Sequence, residues 1–264
     1  MSVSIENRVV VITGASSGIG AALAEKVGQK GGRAVLLARR EPELREVARR
    51  AGNDAMVVVA DVTRRDEIDR AVAQVLARHG RIDVLVNNAG RGITRNVSEL
   101  TDADFDEMML VNVKSVLYGM QAVLPHFRER GSGHIINVSS MLGRIPFAPF
   151  RSAYIAAKHA MNGLTACLRQ ELRGTHPGIT VSVVHPGVVA TEFGVRSLHG
   201  GVDSRQIPNA QPVDAVADVI LGVIEEPRAD VYTLPNARQM VVGYYGAEDM
   251  AAFEAQSSFA PRRP

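Results

Sequence analysis

Residues 8–20 read Arg8-Val9-Val10-Val11-Ile12-Thr13-Gly14-Ala15-Ser16-Ser17-Gly18-Ile19-Gly20. The first six are short, β-branched and end at a glycine, which predicts a buried strand. A helical stretch follows from about Gly18 to Lys30. Between them, glycines let the backbone turn tightly and come close to a pyrophosphate. The helix N-terminus then offers free N–H groups and the positive end of its dipole to the phosphates. A glycine turn alone is weak evidence, but its place between a strand and a helix strengthens the dinucleotide reading.

The same alternation continues outward. Short apolar runs at 34–38, 56–60, 84–87, 134–138, 179–184 and 230–233 predict strands. Helical patterns cover about 42–51, 68–79, 102–130, 152–173 and 213–225. Thr101 or Asp102 suits the N-cap of the third of these, and Pro125 predicts a kink or an early stop within it. Continuous apolar strands between helices imply a parallel sheet covered on both faces. The expected fold is α/β, a Rossmann-like doubly wound sheet of about seven strands, in one domain spanning residues 1–264. The least regular interior segment, 192–211, is long for a structureless loop and is expected to be a substrate lid.

The end of the second strand bears on cofactor choice. An NAD site usually carries an acid there, on the ribose 2′-hydroxyl. This chain has Ala38-Arg39-Arg40, with Glu41 beyond the strand end. A guanidinium beside a 2′-phosphate contributes about 1.5–3 kcal/mol, or about 10- to 150-fold in affinity. NADP(H) is therefore the expected cofactor, with Arg39 as its reader and NAD(H) as the alternative.

Tyr154 and Lys158 are four apart on a predicted helix and share one face. They follow the fifth strand, at the end of the sheet where such folds bind ligands. A phenol titrates near pH 10 and is a poor base at neutral pH. Bringing it to about 7–8 takes about 3–4 kcal/mol of phenolate stabilisation. A lysine ammonium near 4 Å supplies about that much at an effective dielectric of 20. Lys158 is thus expected to acidify Tyr154. Ser139 and Ser140 close the fifth strand, and strand alternation gives them opposite directions.

Together these residues resemble the short-chain dehydrogenase/reductase family over about residues 8–232. The glycine loop has that family's Thr-Gly-x-x-x-Gly-x-Gly spacing, and Asn87-Asn88-Ala89-Gly90 matches its signature after the fourth strand. The resemblance implies dinucleotide contacts from Gly14, Ser16, Ser17, Gly18, Ile19 and Gly20. It implies more from Asp61, Val62, Asn88, Ala89, Gly90, Pro186, Gly187, Val189 and Thr191, and from Tyr154 and Lys158 themselves. It implies a catalytic set of Asn112, Ser140, Tyr154 and Lys158, with Gly143 in register. The interval from Ser140 to Tyr154 is one residue longer than the family's, which keeps Ser139 in play. The implied reaction interconverts a ketone or aldehyde and an alcohol by hydride transfer, with Tyr154 exchanging the proton. A homodimer or homotetramer built on the two long helices is implied as well.

Bulk properties exclude other classes. The 264 residues carry a formal net charge of only +2, which argues against a nucleic-acid binder. No apolar run reaches the length of a membrane helix, and the polar start carries no signal core, so a cytoplasmic protein is expected. The seven histidines are scattered, so no metal is expected. Cys167 is expected to be a small buried helix side chain. The pocket wall is expected from Gly92, Ile93, Met141, Leu142, Ile145 and Val188. That mix favours an apolar small-molecule substrate, but Arg91, Arg95 and Arg144 nearby leave an acidic one equally open. A different class, a non-catalytic dinucleotide sensor, should lack part of the Ser/Tyr/Lys set, and this chain has all of it.

Overall fold

The computed structural model describes residues 3–52 and 54–255; the ends of the expected 1–264 span lie outside the described residues. Seven strands, β1 (Val9–Thr13), β2 (Arg33–Ala38), β3 (Met56–Val59), β4 (Val84–Asn87), β5 (Gly133–Val138), β6 (Ile179–His185) and β7 (Asp230–Tyr232), form one sheet. Their spatial order is β3-β2-β1-β4-β5-β6-β7, and every pairing is parallel. This is the Rossmann-like architecture expected from the alternating pattern.

Strand periodicity explains the two layers. Val10, Ile12, Leu36, Val84, Val86, Ile136 and Val184 face one side, under α1 (Gly18–Gln29), α2 (Glu41–Ala51) and α7 (Val213–Glu225). Their sequence neighbours Val9, Val11, Val35, Leu37, Leu85 and Ile135 face the other. There they meet α3 (Arg65–His79), α5 (Ser115–Arg130) and α6 (Ser152–Arg173). Both faces are buried, so the strands read as unbroken apolar runs. The order in which strands are laid down reverses between β1 and β4, and a crevice opens at the carboxyl ends of those strands.

The helix expected over 102–130 is one path in three pieces. α4 (Asp102–Met109) starts at Thr101, whose side chain accepts from the Asp104 N–H in a capping box. A π turn, Leu110–Lys114, then joins it to α5. Pro125 does not stop α5. Both Pro125 and Gln121, the residue whose carbonyl loses its partner, are exposed, so that group is open to solvent.

Three local expectations change. Cys167 lies on α6 but is exposed, because Met161, Thr165, Leu168 and Leu172 define the buried face and residue 167 falls outside that stripe. Met141 and Ile145 do not face the crevice. They pack with Ala237 and Tyr244 beneath α8 (Ala237–Tyr245), a helix the sequence pattern did not signal, beside α9 (Met250–Ala255). Val188 is 41 % exposed.

Candidate active site

The glycine loop packs against the end of β4. Gly14 takes φ +68°, and a Cβ there would stand 2.9 Å from the Ala89 Cα. A Cβ on Gly20 would meet the Asn88 Nδ2 and the Gly14 carbonyl, each at 2.6 Å. Both sites therefore require glycine. Thr13 Oγ1 accepts from the Asn88 and Ala89 N–H groups, both at 3.0 Å, and Asn88 Nδ2 donates to the Thr13 carbonyl at 3.0 Å. These bonds fix the loop to the Asn87-Asn88-Ala89-Gly90 turn.

Across the loop, the Arg40 Nη2 donates to the Ser16 hydroxyl at 2.9 Å and the Ser17 hydroxyl at 3.0 Å. Arg39 has a 75 % exposed side chain and stands 3.7 Å from the Asp61 carboxylate. Asp61 also accepts from the Thr63 backbone and hydroxyl, with Val62 packed on the core between them. Both arginines border the loop, but the second is the one tied to it. No carboxylate of the β2 end occupies the place an NAD-reading acid would take, and Glu41 instead pairs with Arg45. The cradle thus fits the pyrophosphate of a dinucleotide: a tight turn, a helix N-terminus and a surface no Cβ fills.

On the far side, Gly187 N–H donates to the Gln211 Oε1 at 3.1 Å, and Met141 N–H to the Pro186 carbonyl at 2.8 Å. Val189 bridges to Gln211, which also bonds Thr233. Thr191 reaches back over the loop: a Cβ on Gly18 would lie 3.3 Å from its Cγ2. The segment 192–211 then runs over the crevice, and Leu198 pairs with Gly92, Ile93 and Thr94 through backbone bonds.

The polar residues at the centre come from three elements. Tyr154 and Lys158 lie one helical turn apart on α6, both buried. Lys158 Nζ donates to the Val138 carbonyl at 2.9 Å and lies 5.6 Å from the Tyr154 ring centroid. Asn112 sits within the π turn, wholly buried; its Nδ2 donates to the Arg91 and Met108 carbonyls, and its Oδ1 accepts from the Arg91 N–H. A Cβ on Gly90 would lie 2.9 Å from the Asn112 Oδ1 and 3.6 Å from the Lys158 Nζ, so glycine there lets three elements converge. Ser140 caps a short turn at the end of β5 and accepts from the Leu142 N–H at 3.1 Å.

Ser139 and Ser140 separate as strand alternation predicts. The Ser140 hydroxyl interacts with the Tyr154 phenol. The Ser139 hydroxyl is buried without a partner among the described residues, and a Cβ on Gly143 would stand 2.8 Å from it. Behind Ser140, His185 is fully buried at the end of β6. Its Nδ1 faces the Ser140 carbonyl at 3.3 Å, and its Nε2 lies 3.1 Å from Asp230. Burial pushes its pKa down, so it is held neutral.

Burial dominates the electrostatics of the two residues expected to exchange the proton. Burial pushes the Tyr154 phenol up to about 12, offset in part by Ser140 and then by the Arg151 charge. Lys158 is not among the groups that acidify the phenol, and burial lowers its own pKa to about 8. Its ammonium donates to the Val138 carbonyl and stands 5.6 Å from the Tyr154 ring centroid. In the chain alone, then, Tyr154 keeps its proton at neutral pH.

The apolar wall is Ile93, Leu142 and Phe193, clustered with Tyr154. Phe193 stacks edge-on against the Tyr154 ring at 5.6 Å and was not foreseen. Nor was Arg151, the N-cap residue of α6, although it stands three residues before Tyr154. The three arginines that were foreseen as anion binders are each tied to a carboxylate: Arg91 to Glu107, Arg95 to Asp104, and Arg144 to Asp230. Among the described residues no group of acids, histidines and cysteines could hold a metal, and no helix is long and apolar enough to cross a membrane.

Comparison with known proteins agrees with this geometry. The family model for short chain dehydrogenases matches residues 8–199. An uncharacterized oxidoreductase of Staphylococcus saprophyticus is 36 % identical over 229 residues, covering 85 % of this chain and 92 % of that protein. A short-chain dehydrogenase/reductase from Burkholderia phymatum, solved in complex with NAD, superposes with a TM-score of 0.84 at 27 % identity, covering 99 % of each chain. A metagenomic short-chain oxidoreductase in complex with NADP gives 0.73 at 35 % identity, covering 87 % of this chain and 98 % of that one. The chain belongs to the short-chain dehydrogenase/reductase family of oxidoreductases.

Proposed function

We propose that this protein is an NADP(H)-dependent carbonyl reductase, in which Tyr154 gives a proton to the substrate oxygen. The observation that carries this reading is the convergence of buried Lys158 and Asn112 at Gly90, with buried Tyr154 one helical turn from the lysine, beside the glycine-loop cradle. Burial keeps the proton on the phenol, the form that carbonyl reduction draws on; oxidation of an alcohol would first require the phenol to lose it.

When bound, the dinucleotide supplies or accepts the hydride at its nicotinamide ring. The chain does the rest. Gly14, Ser16, Ser17, Gly18, Ile19 and Gly20 form the pyrophosphate cradle, and Asp61, Val62, Asn88, Ala89 and Gly90 border the adenosine side. Pro186, Gly187, Val189 and Thr191 wall the nicotinamide side. Arg40, with Arg39 beside it, favours a 2′-phosphate, because neither β2 nor α2 presents a free acid there. Ser140 holds the substrate oxygen and polarises the carbonyl. Lys158, anchored on Val138, orients the nicotinamide ribose, and Asn112 keeps the proton route to Lys158 in register. The 192–211 segment closes over Ile93, Leu142 and Phe193 and excludes water. The chain is expected to assemble as a homodimer or homotetramer through the α4–α5 and α6 faces.

The test is a panel of aldehydes and ketones with NADPH and with NADH, following the loss of nicotinamide absorbance. Turnover with NADPH at least tenfold better than with NADH is expected. Absence of carbonyl-dependent oxidation across the panel, from a protein that binds dinucleotide, overturns the reading. Preferred use of NADH would favour the NAD-dependent alternative.

A further inference from the structure

Four arginines border the mouth of the crevice, and their charges are not equally spent. Arg91, Arg95 and Arg144 each meet a carboxylate. No ion pair joins Arg151 to a carboxylate among the described residues. Its Nη1 donates to two neutral acceptors, the Ile93 carbonyl at 3.1 Å and the Ser197 hydroxyl at 2.6 Å. Its Nε and Nη2 have no hydrogen-bond partner among the described residues. The guanidinium is half-buried, and burial disfavours its charged form.

Nε and Nη2 are not among the buried unpartnered atoms of the described residues, so this edge is accessible. Glycine at 92 and 201 makes room for the guanidinium: a Cβ on the first would come within 3.0 Å of Nη1, and one on the second within 3.3 Å of Nη2. Arg151 is the N-cap residue of α6, three residues before Tyr154, which shares a stripe of that helix with Lys158. The Arg151 Nη1 bonds the carbonyl of Ile93, a residue clustered with Tyr154, so the guanidinium lies beside the wall that the phenol shares. A guanidinium withdrawn from water without a counter-charge is a cost that a glutamine of similar length would avoid. An arriving carboxylate would supply that charge and match the planar fork. One unspent cation matches a monoanion; a phosphate dianion would call for a second, and the neighbouring arginines are taken.

We infer that Arg151 sets substrate specificity by binding a carboxylate through its unpaired edge, so that the preferred substrates are short oxo acids. The inference rests on Tyr154 as the proton donor to the carbonyl, since it places the acid within one helical turn of the reacting oxygen. The walls of Ile93, Leu142 and Phe193 then take the carbon chain between or beyond these two points.

The test uses matched pairs: 2-oxo, 3-oxo and 4-oxo pentanoate and their methyl esters, with saturating NADPH. In the wild-type chain at least one acid should exceed its ester in kcat/KM by about 10- to 150-fold, carried mainly by KM. In Arg151→Gln that acid-to-ester ratio should collapse toward unity, and Arg151→Lys should restore part of it. The ratio cancels any effect of Arg151 on lid closure or on the Tyr154 phenol, which acid and ester share. Equal kcat/KM for acid and ester in the wild type, or an unchanged ratio in Arg151→Gln, overturns the inference. If esters and simple ketones are reduced without preference for acids, only this inference fails. If nothing is reduced, the proton-donor reading fails. Calorimetric binding of the three acids to the dinucleotide-loaded protein then decides the Arg151 site alone, with loss of binding in Arg151→Gln supporting it and no binding to the wild type overturning it.

Discussion

Lys158 donates its ammonium to the Val138 carbonyl at 2.9 Å, not to the phenol of Tyr154. The bond ties α6 to the end of β5 and fixes the lysine beside the crevice. Burial, opposed by Ser140, keeps the proton on the tyrosine. The lysine serves the fold as a tie between helix and strand.

Replacing Tyr154 by Phe removes one hydroxyl from a buried position and no backbone contact. Carbonyl reduction is expected to fall by about 10²–10⁴-fold, while dinucleotide binding, read by nicotinamide fluorescence, stays within about threefold. Full turnover by this variant would end the assignment.

Lys158 makes stability depend on pH in a defined direction. Its folded pKa of about 8 lies below the unfolded value of 10.5. Between those two values the unfolded chain binds more protons, so stability rises with pH. Below about 8 the buried ammonium is a standing cost. The melting temperature of the wild type relative to Lys158→Met should therefore increase from pH 8 toward pH 10.5. A difference that is flat, or that falls, across this range would show the ammonium to be favourably placed in the folded chain.

Gly20→Ala would press a methyl group into the Asn88 side chain and the Gly14 carbonyl. A destabilisation of about 1–3 kcal/mol is expected from overpacking, together with at least a tenfold rise in the dinucleotide Kd. Urea melts and fluorescence titration read the two effects separately. Gly163→Ala, on the same scale of change but with open space around it, should leave both unaltered.

Arg40→Ala removes the guanidinium bonded to Ser16 and Ser17, and Arg39→Ala removes one that is largely solvated. The first should raise the KM for NADPH by about 10- to 150-fold with little change for NADH; the second should have the smaller effect. Parallel KM measurements with both cofactors check the order.

His185→Gln should disturb Ser140 through its carbonyl without touching the dinucleotide cradle. Lower kcat at unchanged NADPH affinity is the expected result, and His185→Asn, which is shorter, should be worse. Equal loss of cofactor binding would mark His185 as a general packing residue.

Much of the sheet was legible because its strands are buried on both faces and broken by glycine and polar turns. β4, α6 and α7 carry the bounds that periodicity predicts. The helix Ala237–Tyr245 was not legible, since Val241-Val242-Gly243-Tyr244-Tyr245 has strand-like propensity. It is helical because Ala237 and Tyr244 dock on Met141 and Ile145, about a hundred residues earlier. The same long-range packing turned Met141 and Ile145 away from the crevice. At the site, the helix face shared by Tyr154 and Lys158 could be read from spacing. What each charge pairs with could not, because Arg144 finds Asp230 from 86 residues away, and Lys158 finds a backbone oxygen on another strand. Arg151 was within reach of the same spacing argument and was passed over.

The π turn at Leu110–Lys114 holds one more residue than an α-helical turn would. Such a turn behaves as a one-residue insertion absorbed by a helix. Excising a residue there, Val111 for instance, would convert the segment to regular helix and rotate Asn112 about 100° relative to α5. The amide would leave the Arg91 carbonyl while the packing of α5 on the sheet persisted. The extra residue is thus what lets one continuous helical path aim the Asn112 amide at the Arg91 carbonyl.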